Sequence, residues 1–154
     1  MSNCRKFEWV KRVMVKDMTN FKLPERGTKK SAGYDFFAVE NYIIEPGEIF
    51  LVRTGVKVKL NDGEFLLMAN RSSNPGKKGL VLMNGIGVVD SDYYSNLDND
   101  GEIMFQFMNI SDSDTDIVIG EKLGQGIVTK FELVEDDSFD EGEDRAGGFG
   151  STGN

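Results

Sequence analysis

The sequence predicts an all-β fold, either a closed barrel or a sandwich, and three observations support this prediction. Short apolar or alternating segments recur along residues 1–131, turn sequences separate them, and helical periodicity is nearly absent. The chain has 154 residues, which is enough for one domain with a substantial hydrophobic core. We therefore expect a single β-domain that ends near residue 131.

Seven short segments are predicted strands. They are residues 49–53, 56–60, 64–69, 80–83, 86–89, 103–107 and 127–131. Residues 56–60 alternate strictly between apolar and charged side chains, and the turn sequence Asn61-Asp62-Gly63 predicts a β-hairpin with residues 64–69. One helical turn is predicted after Ser72 and Ser73, which are suitable N-caps.

The negative charge of the chain is concentrated in one segment. The formal net charge is −8, and residues 132–144 hold eight acidic residues and no basic residue. The rest of the chain has 18 acidic and 18 basic residues. Binding to a nucleic acid polymer is therefore not expected, because it requires clustered Lys and Arg. We interpret residues 132–144 as a self-repelling linker and residues 145–154 as a separate glycine-rich segment.

The composition also limits the chemistry. The chain contains no histidine and a single cysteine, Cys4. These counts exclude His-dependent triads, zinc sites made of His or several thiolates, and an internal disulfide. Carboxylates, Arg, Lys, hydroxyls and a hard cation such as Mg²⁺ remain. No long apolar run is present, so we expect a soluble, cytoplasmic protein without a membrane segment.

The last ten residues predict a lid that closes over a nucleotide. Glycine N–H groups, the hydroxyls of Ser151 and Thr152, and the Arg145 guanidinium are donors suited to a polyphosphate. Phe149 offers a flat face for a base. The alternative is a glycine-rich end without a function.

Two further clusters contain candidate functional groups. A predicted apolar strand delivers Asp90 at its end, where the carboxylate can act as a base for water, and the amide of Asn84 can pair with a pyrimidine. The alternative for Asp90 is a turn residue that caps Ser91 or Asp92. Arg71-Ser72-Ser73 combines a cation, two hydroxyls and a predicted helix start, which suits phosphate, although these residues also fit an ordinary N-cap.

Five polar, glycine-containing clusters interrupt the predicted strands and, in this order, resemble the five motifs of the trimeric dUTP diphosphatases (dUTPases). They contain Ser31-Ala-Gly-Tyr-Asp35-Phe, Arg71-Ser72-Ser73, Gly87-Val-Val-Asp90-Ser-Asp92-Tyr93, Gly120-Glu-Lys-Leu-Gly-Gln125-Gly and Arg145-Ala-Gly-Gly-Phe149-Gly-Ser151-Thr152-Gly. Each motif alone is a weak signal, but five in sequence order on an all-β chain are specific. The resemblance extends from residue 31 to the end of the sequence.

The resemblance implies a jelly-roll-like β-barrel with a flexible C-terminal arm, assembled as a homotrimer with three sites at subunit interfaces. Residues 1–131 would form the barrel, residues 132–144 the acidic linker and residues 145–154 the lid. The implied reaction is hydrolysis of dUTP to dUMP and pyrophosphate with Mg²⁺, which limits uracil in DNA and supplies dUMP.

The resemblance also implies roles for individual residues. Asp90 would activate the water that attacks the α-phosphorus, and Asp35 would reach Mg²⁺ through water. Tyr93 would stack under the deoxyribose and leave no room for a 2′-hydroxyl. The implied uracil-binding residues are Asn84, Gly87, Val88, Val89 and Met104. They would form a tight hairpin that has no space for the methyl group of thymine, and Phe149 would cover the bound base. The implied phosphate ligands are Arg71, Ser72, Ser73, Gln125, Arg145, Ser151 and Thr152.

One departure from the family pattern is an insertion at residues 95–100, which resembles that of some phage and Gram-positive bacterial members. It is predicted to lengthen a hairpin near the site. A phage-encoded member would act in the host cytoplasm. Three alternatives remain open. The first is a dCTP deaminase or a bifunctional deaminase-diphosphatase, which shares the fold. The second is a nucleotide-gated protein whose insertion or acidic linker contacts a regulatory partner. The third is a purely structural trimer.

Overall fold

The computed structural model describes residues 3–137, which contain twelve strands and one short helix. The strands are β1 Lys6–Trp9, β2 Glu25–Arg26, β3 Tyr34–Phe37, β4 Tyr42–Ile44, β5 Ile49–Arg53, β6 Val56–Lys59, β7 Glu64–Asn70, β8 Leu80–Leu82, β9 Gly87–Asp90, β10 Met104–Asn109, β11 Thr115–Ile117 and β12 Lys122–Lys130. Helix α1 is Asn74–Lys78, and a 3₁₀ turn, Ser91–Tyr93, follows β9. The predicted all-β class is confirmed. Within residues 3–137, no helix is long and apolar enough to span a membrane.

The strands pair in four antiparallel sheets. The largest sheet has the strand order β2-β3-β12-β7-β9, and a three-stranded sheet has the order β5-β10-β8. Two small sheets consist of β1 with β6 and β4 with β11. The chain alternates between the two large sheets from β7 to β10, which is the pattern expected for a jelly-roll sandwich.

Side chains from both large sheets form the hydrophobic core, which is rich in aromatic rings. Phe36 of β3 and both Phe105 and Phe107 of β10 are at most 1% exposed. The rings of Phe36 and Phe105 pack edge to face with centroids 5.7 Å apart, and Phe105 stacks on Phe107 at 5.8 Å. Leu66 of β7 is fully buried in the same cluster. Burial of this apolar surface is the main stabilising contribution to the fold.

Glycine in β12 lets this strand pass close to the core. A Cβ at Gly124 would overlap the Phe105 ring and lie 2.8 Å from the carbonyl oxygen of Ala69. The prediction that residues 120–126 interrupt the strands is therefore wrong over residues 122–126. These residues belong to β12, and Gly124 is required for packing rather than for a turn.

Replacing Gly124 with alanine is expected to lower the free energy of unfolding by about 1–3 kcal/mol, because the added methyl group overpacks the core. Gly76→Ala is the matched control, since a Cβ there meets nothing within 4 Å and alanine favours helix over glycine. Urea denaturation of both variants at one protein concentration measures the difference. A Gly124→Ala variant as stable as Gly76→Ala would contradict the packing described above.

The predicted β-hairpin at Asn61-Asp62-Gly63 is wrong. The turn exists, with a φ of +77° at Gly63, but β6 pairs with β1, whereas β7 pairs with β12 and β9. The buried carboxylate of Glu64 ties the turn to the N-terminal segment instead. It accepts hydrogen bonds from the Asn61 N–H at 3.1 Å and from Nε of Arg5 at 2.7 Å. The hydrogen bond from Arg5 holds the pKa of Glu64 below its usual value.

The predicted helical turn is confirmed as α1, although its cap differs from the expectation. Ser73 occupies the N-cap position with φ −84° and ψ −14°, and its side chain makes no capping hydrogen bond. Gly79 ends the helix in the left-handed conformation, at a φ of 65°. Strands β9 and β10 each begin one residue later than the predicted segments 86–89 and 103–107.

Candidate active site

The Arg71-Ser72-Ser73 cluster lies where β7 ends and α1 begins. The side-chain oxygen of Asn70 accepts hydrogen bonds from the Arg71 N–H at 2.8 Å and from Nδ2 of Asn74 at 2.9 Å, which fixes the junction. Within residues 3–137, the Arg71 guanidinium and the two serine hydroxyls have no hydrogen-bond or ion-pair partner. A guanidinium and two hydroxyls without protein partners are suited to bind phosphate.

Gln125 lies beside this junction. On β12 it is opposite Ala69 of β7 and Asp35 of β3, and Ala69 is two residues before Arg71. Its side chain covers Gly33, where an added Cβ would overlap Oε1 of Gln125. In the part of the chain that the structure describes, its amide makes no hydrogen bond. We call Arg71, Ser72, Ser73 and Gln125, which are the predicted phosphate ligands among residues 3–137, the phosphate cluster.

Asp35 is the carboxylate that the sequence associates with Mg²⁺. Its Oδ2 lies 3.1 Å from Nζ of Lys122 on β12, and its side chain is 22% exposed. No group of three Asp, Glu or Cys side chains that could hold a metal exists among the described residues. A single, partly exposed carboxylate fits Mg²⁺, because this ion keeps several waters and binds through one or two carboxylates together with substrate phosphates.

The loop at residues 84–89 contains most of the predicted uracil-binding residues, and we call it the uracil loop after that prediction. It begins with a tight turn between two sheets. The Met83 N–H donates to the Gln106 carbonyl at 3.0 Å, and the Ile86 N–H donates to the Asn84 carbonyl at 2.8 Å. The predicted hairpin here is wrong, because β8 pairs with β10 and β9 pairs with β7. The Asn84 side chain is exposed and has no hydrogen-bond partner among residues 3–137. Met104, two residues before Gln106, lies next to this turn.

The second half of the uracil loop is β9, an edge strand of the five-stranded sheet. Gly87 is opposite Met68 of β7, and a Cβ at Gly87 would lie 3.0 Å from that of Met68. Val88 is 56% exposed, whereas Val89 packs against the core. Within the described chain, no strand pairs with the outer edge of β9, so its backbone N–H and C=O groups can pair with a planar base.

Asp90 is the last residue of β9. It occupies the N-cap position of the 3₁₀ turn in an extended conformation, with φ −76° and ψ 159°, and its side chain makes no capping hydrogen bond. The geometry therefore does not support the alternative in which Asp90 caps Ser91 or Asp92. A half-buried carboxylate at a strand end is positioned to act on a ligand bound beside the loop.

Tyr93 lies three residues after Asp90 and is only 6% exposed. Its hydroxyl donates to the Glu102 carbonyl at 2.7 Å and accepts from Nδ2 of Asn99 at 2.8 Å. Hydrogen bonds on both sides of the hydroxyl fix the orientation of the ring.

One chain does not bring all the predicted residues together. Asp90 is opposite Phe65, near the start of β7, whereas Arg71 follows the end of β7. Arg71 is six positions after Phe65, which corresponds to about 20 Å along an extended strand. Asp90 and the phosphate cluster of the same chain therefore lie at opposite ends of β7.

These features agree with a family comparison. The model of the dUTPase family matches residues 19–153. The chain belongs to the dUTPase family. It is 49% identical over 131 residues to the deoxyuridine 5′-triphosphate nucleotidohydrolase of Lactococcus lactis subsp. lactis. The matched region covers 85% of this chain and 87% of that protein. The match favours a dUTPase over the dCTP deaminase alternative.

Solved dUTPase structures have the same fold. The dUTPase from Streptococcus mutans has a TM-score of 0.78 at 43% identity, and the match covers 84% of this chain and 98% of that chain. A dUTPase from phage phi11 of S. aureus, described with a structural Mg(II) ion, is similar in fold alone, with a TM-score of 0.69 and 23% identity over 88% of this chain and 96% of that chain. The dUTPase family consists of jelly-roll homotrimers, which agrees with the predicted architecture.

Four predicted residues of the fifth dUTPase motif, Arg145, Phe149, Ser151 and Thr152, lie outside the described residues. Conversely, sequence reasoning missed Lys122, which pairs with Asp35, and Asn99, which contacts Tyr93. Lys122 lies inside the fourth motif. If that motif had been predicted as a strand paired with residues 34–37, Lys122 would have been placed on the same sheet as Asp35. Asn99 lies in the insertion, where the sequence alone indicates a surface turn.

Proposed function

We propose that this chain hydrolyses dUTP to dUMP and pyrophosphate. The observation that carries the proposal is the segment from Asp90 to Tyr93, which sets a carboxylate at a strand end close to a fixed, buried tyrosine ring. Membership of the dUTPase family supports the same reaction. Cytoplasmic location and a regulatory protein partner stay predictions.

We propose that the chain acts as a homotrimer, as its family does, with each site assembled between subunits. The base and the phosphate ligands must all lie within hydrogen-bond distance of one triphosphate. Asp90 and Arg71 of one chain lie at opposite ends of β7, about 20 Å apart along the strand, which supports a site that takes these two residues from different subunits. Asp90 of one subunit would therefore complete a site that contains the phosphate cluster of another.

In this mechanism, Asp90 accepts a proton from a water molecule aligned with the α-phosphorus. The water oxygen then bonds to phosphorus, the bond from phosphorus to the bridging α–β oxygen breaks, and pyrophosphate leaves with the electron pair of that bond. Asp90 needs no histidine for this step, which fits the composition of the chain. The expected contribution of a positioned general base is about 10²- to 10⁴-fold in rate.

Phosphate binding is assigned to the phosphate cluster together with Arg145, Ser151 and Thr152. The backbone at Arg71 is fixed by Asn70, and within residues 3–137 the Arg71 guanidinium and the two adjacent hydroxyls have no protein partner that a phosphate would have to displace. Asp35 would orient waters of a Mg²⁺ ion, which supplies positive charge to the phosphate oxygens when bound.

Base recognition is assigned to the uracil loop and Met104. The Asn84 amide offers one donor and one acceptor, and the β9 backbone offers further donors and acceptors, so the polarity of these hydrogen bonds would select uracil over cytosine. The close approach of Gly87 to Met68 makes the loop compact, which would exclude a 5-methyl group. Tyr93 would stack under deoxyribose, and Phe149 would cover the base.

The test is a panel of dUTP, dCTP, dTTP and UTP with Mg²⁺, in which pyrophosphate and ammonia are both measured. We expect pyrophosphate from dUTP without ammonia, and much slower release from the other three nucleotides. Ammonia from dCTP would identify a deaminase instead. Equal pyrophosphate release from dUTP and dTTP would contradict the role of the uracil loop.

Truncation after Asp144 removes Arg145, Phe149, Ser151 and Thr152 and is expected to lower kcat at least about a hundredfold, because several transition-state contacts are lost together. The thermal midpoint should change little, since the buried core residues among residues 3–137 all lie between Val10 and Leu123. Steady-state kinetics and a thermal melt measure the two effects. A truncated chain with full turnover, or one with a strongly lowered midpoint, would contradict the lid assignment.

A further inference from the structure

We propose that Asn99, supported by Asn96, positions Tyr93 and thereby contributes to the discrimination between dUTP and UTP. This inference rests on the proposed function, in which the Tyr93 ring faces the sugar. Both asparagines lie in the insertion at residues 95–100. The insertion thus gains a role in substrate specificity, although it carries none of the groups that act on phosphate or base.

The Asn99 side chain makes three hydrogen bonds in this part of the chain. Its Nδ2 donates to the Tyr93 hydroxyl at 2.8 Å. Its Oδ1 accepts from the Gly101 N–H at 3.1 Å and from Nδ2 of Asn96 at 2.8 Å. The amide therefore connects the tyrosine hydroxyl to the backbone that leads into β10, and the ring cannot be displaced sideways without straining this connection.

Asn96 forms the second half of the connection and is 8% exposed. Its Nδ2 also donates to the Tyr93 carbonyl at 2.8 Å, and its Oδ1 accepts from the N–H groups of Asp98 at 3.0 Å and Asn99 at 3.1 Å. The hydroxyl and the backbone of Tyr93 are thus held by two asparagines that also bond to each other. A network in which every amide group is satisfied is rigid and specifies one arrangement.

The outer side of the insertion is anchored separately from this network. Nζ of Lys57 bonds to the Ser95 hydroxyl at 2.8 Å and to Oδ1 of Asp100 at 2.9 Å, and Oδ2 of Asp100 accepts from the Lys11 N–H at 2.9 Å. Leu97, at the tip, is 97% exposed. The insertion therefore has an inner side that holds Tyr93 and an exposed tip that does not contact it.

Steric exclusion of a 2′-hydroxyl requires that the Tyr93 ring keeps its position under the sugar. The Tyr93 hydroxyl is held by two hydrogen bonds, because the Glu102 carbonyl accepts the hydroxyl proton while Asn99 donates to the hydroxyl oxygen. Loss of the Asn99 donor would let the ring shift by a few tenths of an ångström. The extra hydroxyl of UTP would then be admitted at a lower cost, whereas dUTP would still bind.

The test of this role of Asn99 is to measure kcat/KM for dUTP and for UTP and to compare the ratio of the two values among variants. In Asn99→Asp, the carboxylate still accepts from Gly101 and Asn96 but cannot donate to Tyr93, so we expect the dUTP/UTP ratio to fall about tenfold. Leu97→Ala and Asp98→Ala, at the exposed tip, are the controls and should leave the ratio within about twofold. Asn99→Ala serves as a second variant and should act in the same direction.

A double-mutant cycle with Tyr93→Phe separates positioning from a general effect on folding. If Asn99 acts through the hydroxyl, Asn99→Asp should change the ratio by less than about twofold in the Tyr93→Phe background. An unchanged ratio in Asn99→Asp, or an equal fall in both backgrounds, would overturn the inference while the wild type still hydrolyses dUTP. A wild type that releases no pyrophosphate from dUTP would overturn the proposed function itself and this inference with it.

Discussion

Asp90→Asn is expected to lower kcat for dUTP by about 10²- to 10⁴-fold while leaving nucleotide binding within a few-fold of the wild type. The amide has nearly the shape of the carboxylate, so the end of β9 and the 3₁₀ turn should be retained. It cannot accept a proton from water at neutral pH, however, so the attacking oxygen remains protonated. The effect should therefore appear in kcat and not in substrate affinity.

Two measurements check this result. Single-turnover and steady-state pyrophosphate release give the loss of rate, and calorimetry with a non-hydrolysable dUTP analogue gives the affinity. Asp92→Asn is the matched control, because it makes the same change two residues further along on an exposed side chain to which no role is assigned. Substantial residual turnover in Asp90→Asn, or an equal loss in Asp92→Asn, would mean that the proton acceptor lies elsewhere.

Glu102→Ala is expected to lower the free energy of unfolding by about 2–3 kcal/mol, because it removes the buried acceptor that Arg12, Arg53 and the Gly55 N–H share. The Glu102 side chain is fully buried. Its Oε1 and Oε2 accept from Nε of Arg12 at 2.9 Å, and its Oε2 accepts from Nη2 of Arg53 at 2.6 Å. The Gly55 N–H donates to the same carboxylate at 2.9 Å.

A chemical-denaturation series at one protein concentration measures this loss, since assembly of subunits contributes to apparent stability. Glu25→Ala is the control: its ion pair with Lys22, at 3.2 Å, joins side chains that are 58% and 62% exposed. Solvent screening limits such a pair to less than about 1 kcal/mol. A Glu102→Ala variant within about 1 kcal/mol of the wild type would show that the two arginines find other partners.

The sequence predicts the fold class well because the long strands carry a clear pattern. Residues 49–53 form β5 as predicted, and residues 80–83 contain β8. Strands β1, β2, β3, β4 and β11 were missed, since two to four residues are too few to show a period. The prediction that residues 31–36 interrupt the strands is also wrong over residues 34–36, which belong to β3. The first half of β12 was missed because its glycines indicate a turn. In the structure, the absence of a side chain at Gly124 leaves space for the Phe105 ring.

Sheet membership could not be predicted from turn sequences. Asn61-Asp62-Gly63 does produce a turn, but the strand after it joins a different sheet from the strand before it. The contacts that decide this are distant in sequence, such as Arg5 with Glu64. Local sequence fixes the backbone of a turn, and long-range packing decides the strand partner.

The candidate site residues were found through five motifs, whereas their spatial relation was not predictable from residue types. No local pattern indicates that Asp90 pairs opposite the start of β7 while Arg71 follows its end. The insertion illustrates the same limit, because its asparagines fit an ordinary polar turn by composition. Only the folded arrangement places Asn99 on the Tyr93 hydroxyl.

The length of β7 has a genetic consequence. If Asp90 and Arg71 of one chain serve different centres, two inactive proteins, Asp90→Asn and Arg71→Ala, should complement each other when co-expressed. Every mixed trimer would contain one centre with both residues intact, and random assembly from equal amounts should restore about a quarter of the wild-type turnover. If the co-expressed variants show no such recovery, both residues of one chain serve the same active site.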